Sequence, residues 1–396
     1  MSMGRRYIHP RGPTKSLLVP DGKFDILFFG GDEFSCRTLE KIYEARDVWR
    51  TLYVVTQHDM QLLQRGARTV PSPVRVLAEK LGLQVFLMPK DNNDFKVMTF
   101  PAPFHRAEHH PPQLLVTSSV GRYIPMKILK RFHHSRRLNV HPSLIPKYRG
   151  AAPIQWAIAD GLEETGVSVI EVEQVGLGYD VGDIWAQKSV AIPPNSTHST
   201  MWPILAEEGS ELLISVLRNM IAGTQPDAIE QDNEAATDAP VIDSVIATTN
   251  WWEWDAKRVE CTSRAFLHQK PIFTYVFDSE TTLQLFDLSV LDSTIEPSRE
   301  NRIEEIGRAR LNKQTGNLEV TCANGTRVGI ARVKQKNRNL IPAKEWWIGV
   351  PEWKRPQGYV QFHMGANRKP GIPAFDDLPR SQKLMDGYSF APKYQS

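Results

Sequence analysis

Cysteine is scarce in this chain. Its 396 residues include three, Cys36, Cys261 and Cys322, which are scattered and lack the spacing of metal ligands. This usage excludes a disulfide framework and fits a reducing compartment. No stretch approaches the roughly 18 consecutive apolar residues of a membrane-spanning helix, so we expect no membrane partner. With 41% apolar and 23% charged residues, the composition is typical of a globular protein.

Acidic residues are missing from the first 20 positions, although the net charge of the whole chain is only +3. That segment holds Arg5, Arg6, Arg11 and Lys15. Such a composition is typical of a mitochondrial transit peptide, and an ordinary disordered terminus is the alternative. We therefore treat residues 1–21 as an N-terminal extension.

A dinucleotide-binding turn is also missing. The stretch FFGGDEF (28–34) follows an apolar run, but its glycines do not form the G-x-G-x-x-G pattern that such a turn needs. The first half instead alternates short apolar runs with helical spacing at Phe34–Ala45 and Pro73–Leu81, and Pro125 can open a third helix. The apolar runs are 24–30, 52–57, 83–88 and 114–121. Runs that are apolar on both faces predict a doubly wound, mostly parallel α/β sheet over residues 22–224.

The pattern changes in the second half. Residues 201–223 have the spacing of a long amphipathic helix, and the acidic, alanine-containing stretch 225–243 has a linker composition. Short runs rich in β-branched and aromatic residues, separated by turns, then predict a small all-β barrel domain over 244–350. The many prolines and glycines of 351–396 predict a tail.

A polar pair lies at the end of one more short strand, in LNVHPSLIPKYRG (138–150). Residues i and i+2 of an extended segment face the same side, so Asn139 and His141 point together while Leu138 and Val140 face the core. An amide can stabilise an oxyanion, and an imidazole can accept and return a proton. The pair therefore suits acyl transfer. No G-x-S-x-G elbow supplies a nucleophile, which favours direct transfer between two bound substrates.

A glycine-rich acidic loop, VGLGYDVGDIWAQ, follows at 175–187. A histidine base usually needs an orienting carboxylate, and this loop offers Asp180 and Asp183. Most such loops are plain turns, and a lone N-x-H pair is more often structural than catalytic. The residues by themselves therefore leave the site open.

Three motifs in order resemble the methionyl-tRNA formyltransferase family. They are NVHPSLIPKYRGAAPIQWAI from Asn139, ETGVSVIEV at 164–172 and DVGDI at 180–184. The resemblance covers residues 24–350. It implies transfer of a formyl group from 10-formyltetrahydrofolate, the co-substrate, to the amino group of methionine on initiator tRNA, with no metal.

The resemblance also implies roles for individual residues. Asn139 would bind the formyl oxygen as it becomes an oxyanion, His141 would move protons between amine and folate nitrogen, and Asp180 would orient and charge-balance His141. The implied folate site comprises Ser143, Leu144, Ile145, Pro146, Ser118 and Gly121.

The implied tRNA contacts lie on two segments. A basic loop with its following helix at 65–86 and an OB-like C-terminal barrel resemble those of the family. Residues 331–350 hold five bases against one acid. Phosphate contacts dominate nucleic-acid affinity, although a solvated basic face is the alternative reading of such a cluster. The expected contacts are Arg65, Arg68, Lys334, Lys336 and Arg338.

The chain departs from the family pattern at two places. GLGYDVGD has an extra residue ahead of the aspartate compared with the family's G-L-D-T-G-D, which leaves Asp183 as the alternative to Asp180. The basic loop lacks the usual G-R-G-K-K character, so we expect it to hold the acceptor stem more weakly or at a different angle.

Two other functions stay open. One is a folate-dependent formyltransferase that acts on a nucleotide or nucleotide-sugar amine, and the other is a tRNA-binding protein that has lost catalysis. The basic β domain favours tRNA, and the retained Asn139, His141 and Asp180 argue against lost catalysis. Initiator formylation belongs to bacteria and organelles, and the acid-free N-terminus and extended tail favour a eukaryotic protein. We therefore expect a fungal-like enzyme of the mitochondrial matrix. We also expect it to act as a monomer.

Overall fold

The structure is a computed structural model. It describes residues 19, 22–62, 68–89, 98–105, 110, 112–173, 178–276, 281–291, 305–355 and 357–362, with the backbone alone at 60–62, 68 and 69. The chain divides into two compact units. The first comprises Met1–Arg149, Gly166–Ser189 and Pro203–Thr237, and the second comprises Gly150–Thr165, Val190–Trp202 and Asp238–Ser396.

A seven-stranded sheet forms the centre of the first unit. The strands up to residue 191 are β1 (Phe24–Phe29), β2 (Trp49–Thr56), β3 (Met60–Leu62), β4 (Arg68–Val70), β5 (Gln84–Leu87), β6 (Gln113–Ser118), β7 (Arg137–His141), β8 (Glu164–Glu171) and β9 (Ile184–Ala191). The sheet order is β5-β2-β1-β6-β7-β8-β9. The pairs from β5 to β7 are parallel, and β8 runs antiparallel to β7. β3 and β4 form a separate antiparallel hairpin.

Through residue 222 the helices are α1 (Glu33–Glu44), α2 (Pro73–Lys80), α3 (Met126–Leu129), α4 (Pro153–Ala159) and α5 (His198–Ala222). Two of them, α1 and α2, begin at side-chain caps. The carboxylate of Asp32 accepts from the Ser35 N–H at the start of α1, and the hydroxyl of Ser72 accepts from the Arg75 N–H at the start of α2. Such caps satisfy backbone donors that a first helical turn leaves unpaired.

Both faces of this sheet are covered, which explains why β1 is buried along its whole length. On one face, Leu27 and Phe29 pack with Phe100, Phe104 and Phe132. On the other face, α1 and α5 approach the sheet, and Gly209 of α5 comes so close that a Cβ there would lie 2.7 Å from Val140 Cγ1. The predicted doubly wound, mostly parallel sheet is confirmed.

The second unit contains a curled antiparallel sheet. Its elements after residue 250 are α6 (Ala256–Phe266), β10 (Phe273–Tyr275), β11 (Thr282–Leu291), β12 (Arg308–Leu311), β13 (Leu318–Thr321), β14 (Arg327–Gln335), β15 (Leu340–Pro342), α7 (Ala343–Gly349) and β16 (Val360–Gln361). The order is β10-β11-β14-β13-β12-β16, with β15 beside β14. A bridge between Val276 and Phe362 joins the two edges, and Trp251 is fully buried. This is the small all-β barrel expected after the α/β domain.

The domain boundaries drawn from the sequence stay predictions. Of the expected extension 1–21, the structure describes Val19 alone, and residues 363–396 of the expected tail lie outside the described residues. Within the described part of the chain, no helix combines the length and apolar character needed to cross a bilayer.

Candidate active site

Strand β7 places the polar pair on one face of the first sheet. It lies between β6 and β8, where Asn139 is in register with Thr117 of β6 and Ile170 of β8. Because side chains alternate along a strand, Leu138 and Val140 point towards α5 and are buried. Asn139 and His141 point to the opposite face, as the spacing predicted.

The carboxylate of Asp180 lies between the two members of this pair. Its Oδ1 accepts from Asn139 Nδ2 at 3.1 Å, and its Oδ2 lies 3.6 Å from His141 Nδ1. An ionised carboxylate can only accept hydrogen bonds, so the amide must turn Nδ2 towards it. Asn139 Oδ1 then accepts from Thr117 Oγ1 at 2.8 Å. The amide is thus held at both ends.

The protonation of His141 follows from its other neighbour. His141 Nε2 lies 2.9 Å from the backbone carbonyl oxygen of Tyr148. A carbonyl oxygen accepts and cannot donate, so Nε2 carries the hydrogen. In the neutral ring the basic nitrogen is therefore Nδ1, which faces Asp180. A proton taken up by Nδ1 would lie between the imidazole and the carboxylate.

The loop that presents Asp180 has an unusual backbone. Asp180 has a φ of 52°, a left-handed conformation in which aspartate is among the more tolerated residues. Two residues later, a Cβ on Gly182 would lie 2.0 Å from the Glu171 carbonyl oxygen, so only glycine fits there. Asp183 is buried, and its carbonyl accepts from the Glu171 N–H at 2.9 Å. The carboxylate that contacts Asn139 and His141 is that of Asp180.

A stacked tyrosine pair joins this loop to the one after β6. The rings of Tyr123 and Tyr179 are 4.3 Å apart with an interplanar angle of 22°. Partial burial raises the pKa of Tyr123, and the negative charge of Asp180 adds to the increase. Sequence reasoning missed both rings, although Tyr179 stands directly before Asp180 in the segment that departs from the family pattern.

The segment predicted to line the folate site is tied down by internal hydrogen bonds. Ser143 is buried, and its hydroxyl donates to the Lys147 carbonyl at 2.7 Å. The Ile145 N–H donates to Ser168 Oγ at 3.2 Å. Leu144 and Pro146 are half-buried, so these are the side chains of the segment that reach the surface.

The other two predicted folate residues lie in and after β6. Ser118 is in register with Val140, so its side chain points towards α1, where its hydroxyl lies 3.2 Å from Thr38 Oγ1. The structure therefore places the Ser118 side chain on the face opposite Asn139 and His141. Gly121 lies in the loop after β6 with a φ of 66°.

A buried glutamine in the expected linker also belongs to the site. Gln231 Nε2 donates to the Asp180 carbonyl at 2.8 Å and to the Gly182 carbonyl at 2.5 Å. Its Oε1 accepts from Arg149 Nε at 2.9 Å. No pattern in the sequence distinguishes this residue, because a glutamine within an acidic stretch is typical of a linker.

The expected tRNA contacts are distributed unevenly over the described residues. Lys334, Lys336 and Arg338 are exposed on and just after β14. Arg68 lies in β4, where only the backbone is described, and Arg65 lies outside the described residues. Within the described part of the chain, no group of three or more histidine, cysteine or acidic side chains could hold a metal ion.

Comparison with known proteins identifies two family models along the chain. The model of the family described as "Formyl transferase" matches residues 25–217, and the model described as "Formyl transferase, C-terminal domain" matches residues 247–351. A methionyl-tRNA formyltransferase of Dictyoglomus thermophilum is 32% identical over 68% of this chain and 84% of its own length. One of Acidobacterium capsulatum is 30% identical over 82% and 96%, respectively.

Solved structures show the same fold. A sugar 3N-formyl transferase, crystallised with dTDP and 5-N-formyl-THF, has a TM-score of 0.53 and 14% identity over 80% of this chain and 99% of its own. The N-formyltransferase of Helicobacter canadensis, in complex with folinic acid and dTDP-3-aminofucose, gives the same TM-score and identity over 78% and 98%. At this identity the likeness concerns the fold alone.

The tautomer of His141 can be measured directly. We expect neutral His141 to carry its hydrogen on Nε2, because the Tyr148 carbonyl can only accept. Nitrogen-15 NMR of histidine-labelled protein distinguishes the two tautomers, and the signal missing from His141→Gln identifies the ring. A hydrogen on Nδ1 of the neutral ring would contradict this geometry.

Proposed function

This chain belongs to the methionyl-tRNA formyltransferase family, and we propose that it transfers the formyl group of 10-formyltetrahydrofolate to the amino group of methionine on initiator tRNA. The observation that carries the proposal is the single carboxylate of Asp180 between the amide of Asn139 and the imidazole of His141. An oriented hydrogen-bond donor and a base with its counter-charge are the groups that direct acyl transfer needs.

Asn139 is suited to stabilise the developing oxyanion. Its Nδ2 has two N–H groups, and among the described contacts Asp180 takes one of them. The second can donate to the formyl oxygen as the amine adds to the formyl carbon and negative charge collects on that oxygen. Because Thr117 and Asp180 hold the amide in place beforehand, little reorganisation is required during the reaction.

His141 is suited to move the proton that the reaction releases. The α-amino group has an unperturbed pKa of about 7.7, so much of it is already neutral near physiological pH. When the new C–N bond forms, the amine nitrogen becomes positively charged, and Nδ1 can accept its proton. The C–N10 bond of the donor then breaks, N10 receives the proton held on His141 Nδ1, and tetrahydrofolate leaves.

The second unit supplies a surface suited to tRNA phosphates. Lys334, Lys336 and Arg338 project from β14 and the following turn of the OB-like barrel and are exposed. Trp346 and Trp347 are buried, so they serve the core rather than base stacking. We assign the three basic side chains to the tRNA backbone, because phosphate contacts provide most nucleic-acid affinity.

The two alternatives are less well supported. A nucleotide-sugar substrate is suggested by the solved structures, but their likeness is at 14% identity and concerns the fold. An inactive tRNA-binding protein would have no need of the Asn139–Asp180–His141 arrangement. Formylation of a sugar amine in place of methionyl-tRNA would favour the first alternative.

We place the enzyme in the mitochondrial matrix. Support comes from the acid-free composition of residues 1–20, which suits import, and from the restriction of initiator formylation to bacteria and organelles. Import of the full chain into isolated, energised mitochondria is expected, with protection from added protease. Failure to be imported would remove this assignment without affecting the chemistry.

Formyl transfer to methionyl initiator tRNA tests the function. We expect activity in the wild type, a loss of about 10²–10³ in kcat for Asn139→Ala because an oxyanion donor is removed, and a loss of about 10²–10⁴ for His141→Ala because the base is removed. Asp180→Asn should also lose most activity, since the amide no longer pairs with the imidazolium. Circular dichroism and melting temperature confirm that each variant is folded.

Asp183 provides the comparison for the acidic loop. If Asp183→Asn removes activity while Asp180→Asn keeps it, the carboxylate that orients His141 is that of Asp183. If the wild-type protein does not formylate methionyl initiator tRNA, the proposed function is wrong.

Charge removal on the second unit tests the tRNA surface. We expect Lys334→Ala, Lys336→Ala and Arg338→Ala each to raise KM for tRNA and to lower the slope of log affinity against log salt by about one. KM for the formyl donor should stay unchanged. Lys313→Ala, which removes an exposed lysine elsewhere in the same unit, is the control, and an equal effect there would contradict a specific surface.

A further inference from the structure

Two loops of the first unit meet at His141, and a third segment runs along both of them. The first loop, 142–149, follows β7 and supplies the Tyr148 carbonyl that accepts from His141 Nε2. The second, 178–183, supplies Asp180. The third is the 229–237 segment, within the stretch whose composition predicted a linker.

Backbone pairing fixes both ends of the 229–237 segment. At one end, Ile229 exchanges two hydrogen bonds with Ile184, just after the Asp180 loop, at 2.8 and 2.9 Å. At the other end, the Thr237 N–H donates to the Pro146 carbonyl at 3.2 Å, and the Thr237 carbonyl accepts from the Arg149 N–H at 2.8 Å. The segment therefore has a defined position relative to each loop.

Gln231 lies between these ends and connects the loops through its side chain. Its Nε2 donates to the carbonyls of Asp180 and Gly182, and its Oε1 accepts from Arg149. Gln231 is 5% exposed and Arg149 is 8% exposed, so water does not replace these hydrogen bonds. Asn233 Oδ1 is a further acceptor for the Arg149 guanidinium, at 2.9 Å.

An amide side chain suits all of these contacts. Two backbone carbonyls need donors, and a guanidinium needs an acceptor, and a glutamine side chain supplies both within one group. Arg149 is the residue after Tyr148, whose carbonyl holds His141. One hydrogen-bonded pair thus links the backbone beside His141 to the backbone that carries Asp180.

We propose that Gln231 and Arg149 are positioning residues that set the placement of Asp180 relative to His141. The consequence is that the chain between the two family domains takes part in building the catalytic site. This inference rests on the proposed function for its kinetic test. A displacement of about 1 Å at a reacting group can cost about 10²-fold in rate, so loss of the link should lower kcat.

Gln231→Ala removes the link, and Gln225→Ala is the matched control. Gln225 lies shortly before the same segment, and its Nε2 donates to the Trp185 carbonyl of β9 at 3.1 Å and to neither loop. We expect Gln231→Ala to lower kcat for formyl transfer about 10–100-fold, with KM for both substrates little changed. Gln225→Ala should retain wild-type kcat.

Gln231→Glu keeps the volume of the side chain but retains the contact with Arg149 alone. A carboxylate still accepts from Arg149 but cannot donate to the Asp180 and Gly182 carbonyls. We expect a loss at least as large as for Gln231→Ala. Wild-type kcat in Gln231→Glu, with the melting temperature preserved, would overturn the proposal.

A double variant distinguishes positioning through Asp180 from a general structural role. Residues that act as one unit show strongly non-additive losses. In an Asp180→Asn background, Gln231→Ala should therefore cost less than about twofold more. Full additivity of the two losses would overturn the proposal.

A measurement without substrate keeps the inference separate from the proposed function. The nitrogen-15 signals of the His141 ring should shift in Gln231→Ala and stay in place in Gln225→Ala. If the wild type fails to formylate tRNA and the His141 signals still shift, the proposed function fails and the positioning role stands. Unmoved signals in Gln231→Ala would overturn the positioning role whatever the activity.

Discussion

The carboxylate of Asp180 is the group on which the rest of the site depends. Because a carboxylate only accepts hydrogen bonds, it determines which way the Asn139 amide turns, and the Thr117 hydroxyl then completes the amide's partners. The same carboxylate faces the basic nitrogen of His141. One acceptor therefore orients the Asn139 amide and faces the His141 imidazole, so in the proposed mechanism the oxyanion donor and the base depend on the same carboxylate.

The position of that carboxylate comes from packing around an irregular loop. Asp180 has a left-handed backbone, and Gly182 passes too close to the Glu171 carbonyl for any side chain. Polar groups buried in such a place are stable when each has a partner. The contacts of Gln231 with the Asp180 and Gly182 carbonyls meet that condition, and they connect the Asp180 loop to a segment outside both family models.

The two units combine buried and exposed features for different tasks. In the first, helices cover the sheet on both faces, so β7 is held from both sides while its polar pair projects at the carboxyl end, where ligands bind in such sheets. In the second, a curled sheet buries Trp251, Trp346 and Trp347 and leaves basic side chains of β14 exposed. That division suits chemistry on one unit and electrostatic recognition of a polyanion on the other.

Local pattern was enough for the fold class and for part of the site. Apolar runs and helical spacing predicted the parallel sheet and the later β domain, and the period of two along β7 placed Asn139 beside His141, because these signals depend on neighbours in the chain. Other features were not predictable in this way. They are the strands β12 and β16, the stacking of Tyr123 on Tyr179, and the position of the Ser118 side chain on the face opposite Asn139. They depend on strand register and on loops distant in sequence.

The sequence by itself determined which residues could do the chemistry. Only the tertiary structure decided that the Asp180 carboxylate contacts them and that Gln231 donates a hydrogen bond to the Asp180 carbonyl. Both contacts join segments about 40 to 50 residues apart, and such closure has no local signal.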